Sequence, residues 1–182
     1  MIEIFCGPMF AGKTTALFEI WKRNGNKTKC FKPLIDTRAA ENVTVSHDNF
    51  EIPCEAVATA GDILSKVSWN GGKFEKILID EAQFFGSALV PVAIALSKQG
   101  MTVSIACLDL DSNGLPFGSV GDLLAVADDV HKLKGVCSVC GRPATRTFRK
   151  ATPSNERTLI GGSEYYEPMC MRCFCLTDKM PF

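Results

Sequence analysis

Residues 2–15 read IEIFCGPMFAGKTT: a short apolar run, a glycine-bounded turn, then the start of a helical pattern. The turn fits G-x-x-x-x-G-K-[ST] at Gly7, Gly12, Lys13 and Thr14. This unit constrains the fold more than any other stretch. Such a turn cradles an anion only when a strand delivers it and a helix carries its first amides onward. Ile2 to Cys6 supplies the strand, and Leu17, Ile20 and Trp21 recur on one face of a helix over Thr14 to Arg23. The glycines let the backbone curl so that successive N–H groups converge. In loops of this type the lysine, here Lys13, reaches the β- and γ-phosphates, and the hydroxyl, here Thr14, ligates Mg²⁺. A surface turn without a ligand is the competing reading. The strand before and the helix after speak against it.

The pattern continues along the chain. Further strands are predicted at Lys29 to Leu34, Cys54 to Val57, Glu75 to Asp80, Met101 to Leu108 and Val130 to Leu133. Helices are predicted at Gly61 to Val67, Ser87 to Gln99 and Gly121 to Ala127, with Ser87 as an N-cap and Gly100 as a stop. The polar stretch up to Asn49 reads as a connection. Alternating strands and helices predict an α/β domain over residues 1–134, a mostly parallel sheet of P-loop NTPase type flanked by helices. Residues 135–182 change character and read as a small metal-stapled domain.

A phosphate loop needs a second acid to place the metal. Asp80 closes the apolar run ILID, where a Walker B carboxylate belongs. At the carboxyl end of a parallel strand it faces the same crevice as the loop. Glu81 follows directly and is placed to act as a base; a solvated loop acid is the bland alternative. Nine cysteines include two C-x-x-C pairs, Cys137/Cys140 and Cys170/Cys173. Four thiolates close a tetrahedral zinc site with no position left for water, so the zinc is structural. Cys6, Cys30, Cys54 and Cys107 lie in apolar runs and read as core; Cys175 stays unassigned. An odd cysteine count behind an N-terminus without a signal-peptide pattern points to a reducing, cytoplasmic setting.

Charge narrows the partners. Twenty basic and twenty acidic residues cancel, which argues against gripping long nucleic acid through its phosphates. Between Val130 and Asn155 there are six Lys or Arg residues and no acid. They fit either a nucleic-acid face or compensation of a zinc–tetrathiolate centre and nearby phosphates; the neutral total favours compensation. No apolar run approaches the ~20 residues needed to cross a bilayer, so no membrane partner is expected.

In order along nearly the whole chain, these motifs resemble the type II thymidine kinases. GPMFAGKTT, DTR at Asp36 to Arg38, SHD at Ser46 to Asp48, IDEAQFF, PFG at Pro116 to Gly118, the cysteine pairs and LIGGSEYYEPMCMRC carry the resemblance. It implies transfer of the γ-phosphate of ATP to the 5′-hydroxyl of thymidine, in nucleotide salvage for DNA synthesis. By the same resemblance Glu81 is the catalytic base. Gly7, Pro8, Met9, Phe10, Ala11, Gly12, Lys13, Thr14, Asp36, Thr37, Arg38, Asp80 and Gln83 belong to the ATP side. Thr14 and Asp80 organise Mg²⁺. Met9, Phe84, Leu108, Phe117, Thr147, Arg157, Thr158, Leu159, Ile160, Gly161 and Tyr166 belong to the nucleoside side. There a long loop of the zinc domain, about Thr147 to Tyr166, closes over the base, and Thr147 lies near the thymine methyl. The resemblance further implies a homotetramer, or a dimer in some members, and feedback inhibition by thymidine triphosphate. One departure stands out. Many members carry an aromatic where this chain has Ser112, which makes one pocket wall smaller and more polar and leaves tolerance of deoxyuridine open.

Two other classes compete: a P-loop ATPase whose zinc ribbon binds nucleic acid, and a structural zinc protein with a vestigial loop. The balanced charge and Glu81 argue against the first. Lys13 and Thr14 argue against the second.

Overall fold

The computed structural model describes residues 1–37, 42–45, 50–69, 73–150 and 160–177. In chain order, β1 (Ile2–Cys6) leads through the glycine loop into α1 (Lys13–Asn24), β2 (Thr28–Pro33), β3 (Val43–Val45) and β4 (Glu51–Val57). Then come α2 (Ala60–Trp69), β5 (Lys76–Ile79), α3 (Leu89–Lys98), β6 (Thr102–Cys107), α4 (Val120–Val126) and β7 (Asp129–Lys132).

These seven strands form one sheet in the order β3-β4-β2-β5-β6-β1-β7. Every pairing is parallel except β3 with β4. A parallel sheet is covered on both faces, so its strands are apolar at consecutive positions. Ile77 and Ile79 join one cluster, with Ile63, Leu89, Leu96 and Leu123 from the helices on that face. Leu78, between them, joins the other, with Leu17, Phe18 and Trp21 of α1. Cys6, Cys30, Cys54 and Cys107 are buried in these layers, whereas Cys175 is exposed. Burial pushes the Cys6 thiol up to about 11, so it is a packing group rather than a nucleophile.

Three expectations change. The stretch read as a connection contains β3, whose Val-Thr-Val run is too short to register as a period. β4 begins at Glu51, three residues before the predicted start. Ser87 is not an N-cap. A 3₁₀ segment, Ala82–Ala88, feeds directly into α3, and the cap residue Ala88 is itself helical. The predicted stop holds, with Gly100 at φ 87° after α3.

Beyond Leu133 the chain builds two small antiparallel pairs, β8 (Gly135–Val136) with β9 (Pro143–Ala144) and β10 (Arg146–Arg149) with β11 (Tyr166–Met169). A short helix, α5 (Met171–Cys175), follows. Their shared core is small: Cys137, Ala144, Met169, Cys170 and Phe174, with Phe148 and Cys173 against it.

Candidate active site

The glycine loop runs from Gly7, at φ 141°, to Gly12, at φ 82°. A Cβ on Gly7 would lie 2.4 Å from the Leu133 carbonyl oxygen, so both space and conformation demand glycine there. Phe10, at the loop's crest, also takes a positive φ of 64°. The first turn of α1 carries no acidic residue of its own. Lys13 is half-buried, and its ammonium donates to the Pro8 carbonyl at 2.6 Å. Burial pushes its pKa down, and the charges of Glu81 and Asp80 oppose that. A cation in this setting gains from a bound anion.

β5 delivers Asp80, 2% exposed, to the loop. The Thr14 hydroxyl lies 3.2 and 3.4 Å from its two carboxylate oxygens. The Thr44 hydroxyl donates to Oδ2 at 2.5 Å, and the Glu81 N–H donates to Oδ1 at 3.0 Å. An all-oxygen set of carboxylate and hydroxyl is the chemistry Mg²⁺ takes. Thr44, at the centre of β3, was not among the predicted site residues.

Glu81 sits in the left-handed region at φ 51°, a conformation that costs a non-glycine residue roughly 1 kcal/mol. The Gln83 amide holds its carboxylate, donating from Nε2 to Oε2 at 2.6 Å. The Gln83 carbonyl in turn accepts the Leu108 N–H at 3.1 Å. Gln83 was expected on the ATP side. The structure buries it beside Glu81, with both ends of its amide engaged, and it lines neither of the two hollows that meet at Glu81. Asp36 is buried after β2, and Thr37 is exposed; neither lines these hollows. Arg38 and the Ser46 to Asp48 motif lie outside the described residues.

Two hollows meet at Glu81. The smaller follows the loop from Met9 through Thr15. The larger is an apolar cavity of about 290 Å³. Met9, Glu81 and Leu108 line both. The larger cavity brings together Phe84, Phe117, Thr147, Ile160, Gly161 and Tyr166, all predicted for the nucleoside side. Phe84 and Phe117 meet edge to face, 5.9 Å between centroids. Ser112 is in the wall, as expected for the altered position. Arg157, Thr158 and Leu159 lie outside the described residues.

The cavity also takes Leu110, Asp111 and Gly118, which were missed. They belong to a tight excursion after β6, closed by the Leu110–Pro116 bridge and by Asp111 Oδ1 accepting the Asn113 and Leu115 N–H groups at 2.9 and 3.1 Å. The Asn113–Gly114 pair, with Gly114 at φ 79°, was the available signal. A Cβ on Gly114 would lie 3.3 Å from the Phe174 ring, so the excursion packs on the C-terminal module.

Cys137, Cys140, Cys170 and Cys173 converge, their sulfurs all within 4.8 Å of one another. Cys140 Sγ and Cys170 Sγ are 3.6 Å apart. A tetrahedron of Zn–S bonds has edges of about 3.8 Å, so the set fits a metal and falls well outside disulfide distance. The Cys173 N–H holds the Cys170 thiol below its ordinary pKa, while hydrogen bonding with Cys140 pushes the Cys173 thiol up to about 12, as befits sulfurs crowded into one cluster. The turn carrying the first pair closes through Gly141 N–H to the Cys137 carbonyl at 2.9 Å.

The thymidine kinase family matches residues 1–174 of this chain. The chain is also similar to the thymidine kinase of Bacteroides fragilis, 39% identical over 176 residues, covering 95% of this chain and 86% of that protein. No helix among the described residues is long and apolar enough to cross a membrane. A loop built for an anion, a metal-type carboxylate, an acid shared by two hollows and a four-cysteine module thus occur in a chain aligned with that family almost end to end: the protein belongs to the thymidine kinase family.

Proposed function

We propose that this chain transfers the γ-phosphate of ATP to the 5′-hydroxyl of thymidine, with deoxyuridine as an alternative acceptor. The observation that carries the reading is the position of Glu81. Glu81 lines both the loop hollow and the apolar cavity, so it stands where a phosphate and a hydroxyl would meet. The loop amides and Lys13 bind the triphosphate. Thr14 and Asp80 would hold Mg²⁺, whose charge offsets that developing on the transferred phosphoryl group. Glu81 accepts the 5′-hydroxyl proton, and Gln83 fixes the direction in which its carboxylate points. The aromatic pair Phe84 and Phe117 flanks the base, and the Thr147 methyl meets the thymine methyl. Most of the rate then comes from positioning two substrates and from charge stabilisation.

The four cysteines would hold a structural zinc that fixes β10 and β11 at the cavity. In this reading residues 1–134 form the ATP-binding domain and 135–182 the zinc domain that closes over the nucleoside. The described cysteine thiols are free, which suits a cytoplasmic protein. Family resemblance adds a homotetramer and inhibition by thymidine triphosphate.

The test is a phosphate-transfer assay with ATP, Mg²⁺ and a panel of nucleosides, without nucleic acid. Thymidine monophosphate should dominate, with deoxyuridine product second. ATP hydrolysis stimulated by DNA or RNA, with no nucleoside product, would replace this reading with a nucleic-acid-dependent ATPase.

A further inference from the structure

The glycine loop is pinned from the C-terminal module. The hydroxyl of Thr147, a residue 3% exposed in β10, accepts the Met9 N–H at 3.0 Å. Gly135, in β8, lies beneath the same segment; a Cβ there would come within 3.5 Å of the Phe10 carbonyl oxygen and 3.7 Å of the Met9 carbonyl oxygen, with Pro168 of β11 at 3.3 Å. The module thus touches the loop at consecutive peptide groups. Phe10 is the residue the loop holds in a left-handed conformation, and such a conformation persists only where neighbours over-determine it. A second side-chain tie on the loop is Lys13 to the Pro8 carbonyl. That tie is temporary, because the same ammonium must turn to a bound triphosphate. Thr147 carries no such conflict. Its hydroxyl faces the loop, and its residue also lines the apolar cavity.

We propose that the Thr147 hydroxyl is a positioning group for the phosphate loop, so that the module closing on the nucleoside also sets the affinity for the triphosphate. The inference rests on the kinase reading for its substrates. One side chain then has two separable duties. Its hydroxyl holds Met9 in the shape that presents the loop amides, and the residue is also part of the cavity wall, where the kinase reading sets its methyl against the thymine methyl. Occupying the cavity steadies β10, and β10 steadies the loop.

Two substitutions separate the duties. Thr147→Val keeps the shape and removes the acceptor, leaving the Met9 N–H buried without it. The KM for ATP should rise about tenfold, the scale of one lost buried hydrogen bond, while the KM for thymidine moves less than about twofold. Thr147→Ser keeps the acceptor and removes the methyl. Its KM for ATP should stay within about twofold of wild type, and its KM for thymidine should rise severalfold. Zinc content and thermal midpoint, measured on both variants, establish that they are folded. Equal changes in the two KM values for Thr147→Val, or no rise in KM for ATP, would overturn the proposal. If Thr147→Val does not fold, the Ser variant decides: a tenfold rise in its KM for ATP also overturns it. If the wild type transfers no phosphate to nucleosides, the kinase reading fails instead. The tie is then judged by equilibrium ATP titration of wild type and Thr147→Val, where equal affinities would overturn it.

Discussion

The loop hollow and the apolar cavity share one wall but are assembled in opposite ways. The loop hollow is nearly all local chain: Met9 to Thr15 in sequence, closed by Glu81 and Leu108. Its working groups are mainly backbone amides, shaped by Gly7 and Gly12. The cavity is made of residues from five separated segments, around Met9, Phe84, Leu108 to Gly118, Thr147 and Ile160 to Tyr166. A contiguous site tolerates little change at few positions. A distributed site depends on whatever holds its segments together, here the four cysteines and the packing of Gly114 on Phe174. The two should therefore fail differently.

Glu81 belongs to both, and its loss should be the most damaging. Glu81→Gln keeps size and hydrogen bonding but cannot take a proton. Turnover should fall by about 10²–10⁴-fold, the worth of a general base, with ATP and thymidine affinities nearly unchanged. Steady-state kinetics with parallel ATP titration would show it. Near-normal turnover would remove Glu81 from the base role.

Cys170→Ser strikes the distributed site first and reaches the loop through β10. One ligand of four is lost, so metal affinity should fall by more than about 100-fold, beyond the loss typical of an outer-shell change. Atomic absorption should find little zinc, and the KM for thymidine should rise more steeply than that for ATP. Full zinc content with wild-type kinetics would contradict a four-cysteine site.

The same contrast explains what could be read from the chain. Gly7 to Thr14 and Asp80 were legible because each lies where one strand ends, and a short strand with three or four apolar residues is visible without its neighbours. Thr44 was not. It reaches Asp80 through a three-residue antiparallel strand in polar surroundings, and only pairing with β4 shows which way it faces. Gln83 stood two positions from Glu81, yet sequence proximity could not reveal that the 3₁₀ turn carries it behind the carboxylate. In the cavity, Phe84, Phe117, Thr147 and Tyr166 came from resemblance rather than periodicity. Nothing local in Arg146 to Arg149 marks Thr147 as the buried member that also touches the loop. The excursion at Leu110 to Gly118 was readable at its tip, Asn113–Gly114, but not at the residues it turns inward.

Thr44→Val tests the contiguous site more gently. It removes a donor to a buried carboxylate while keeping shape. The unfolding free energy in metal-free buffer should fall by about 1–3 kcal/mol, measured by denaturant titration. Thr44→Ser should recover most of it. An unchanged stability in Thr44→Val would mean that Asp80 does not depend on β3 for its orientation.

The smallest effect is expected at Ser112 in the cavity wall, where the family resemblance implies an aromatic. Ser112 offers a hydroxyl beside Phe84 and Phe117, which already meet edge to face. Ser112→Phe would add a third ring with its own face toward a bound base. An aromatic contact beyond area burial is worth about 0.5–1.5 kcal/mol, so the KM for thymidine should fall by about two- to tenfold. Deoxyuridine should gain equally, since stacking does not sense the methyl. The ATP side should not move, because Ser112 lines the cavity and not the loop hollow. A rise in both nucleoside KM values would show that the existing pair already fills the space beside the base, and that serine is there to make room for it. A change in the KM for ATP would show that the excursion after β6, like β10, communicates with the loop, and the two hollows would then be one site in energetic terms rather than two that share Glu81.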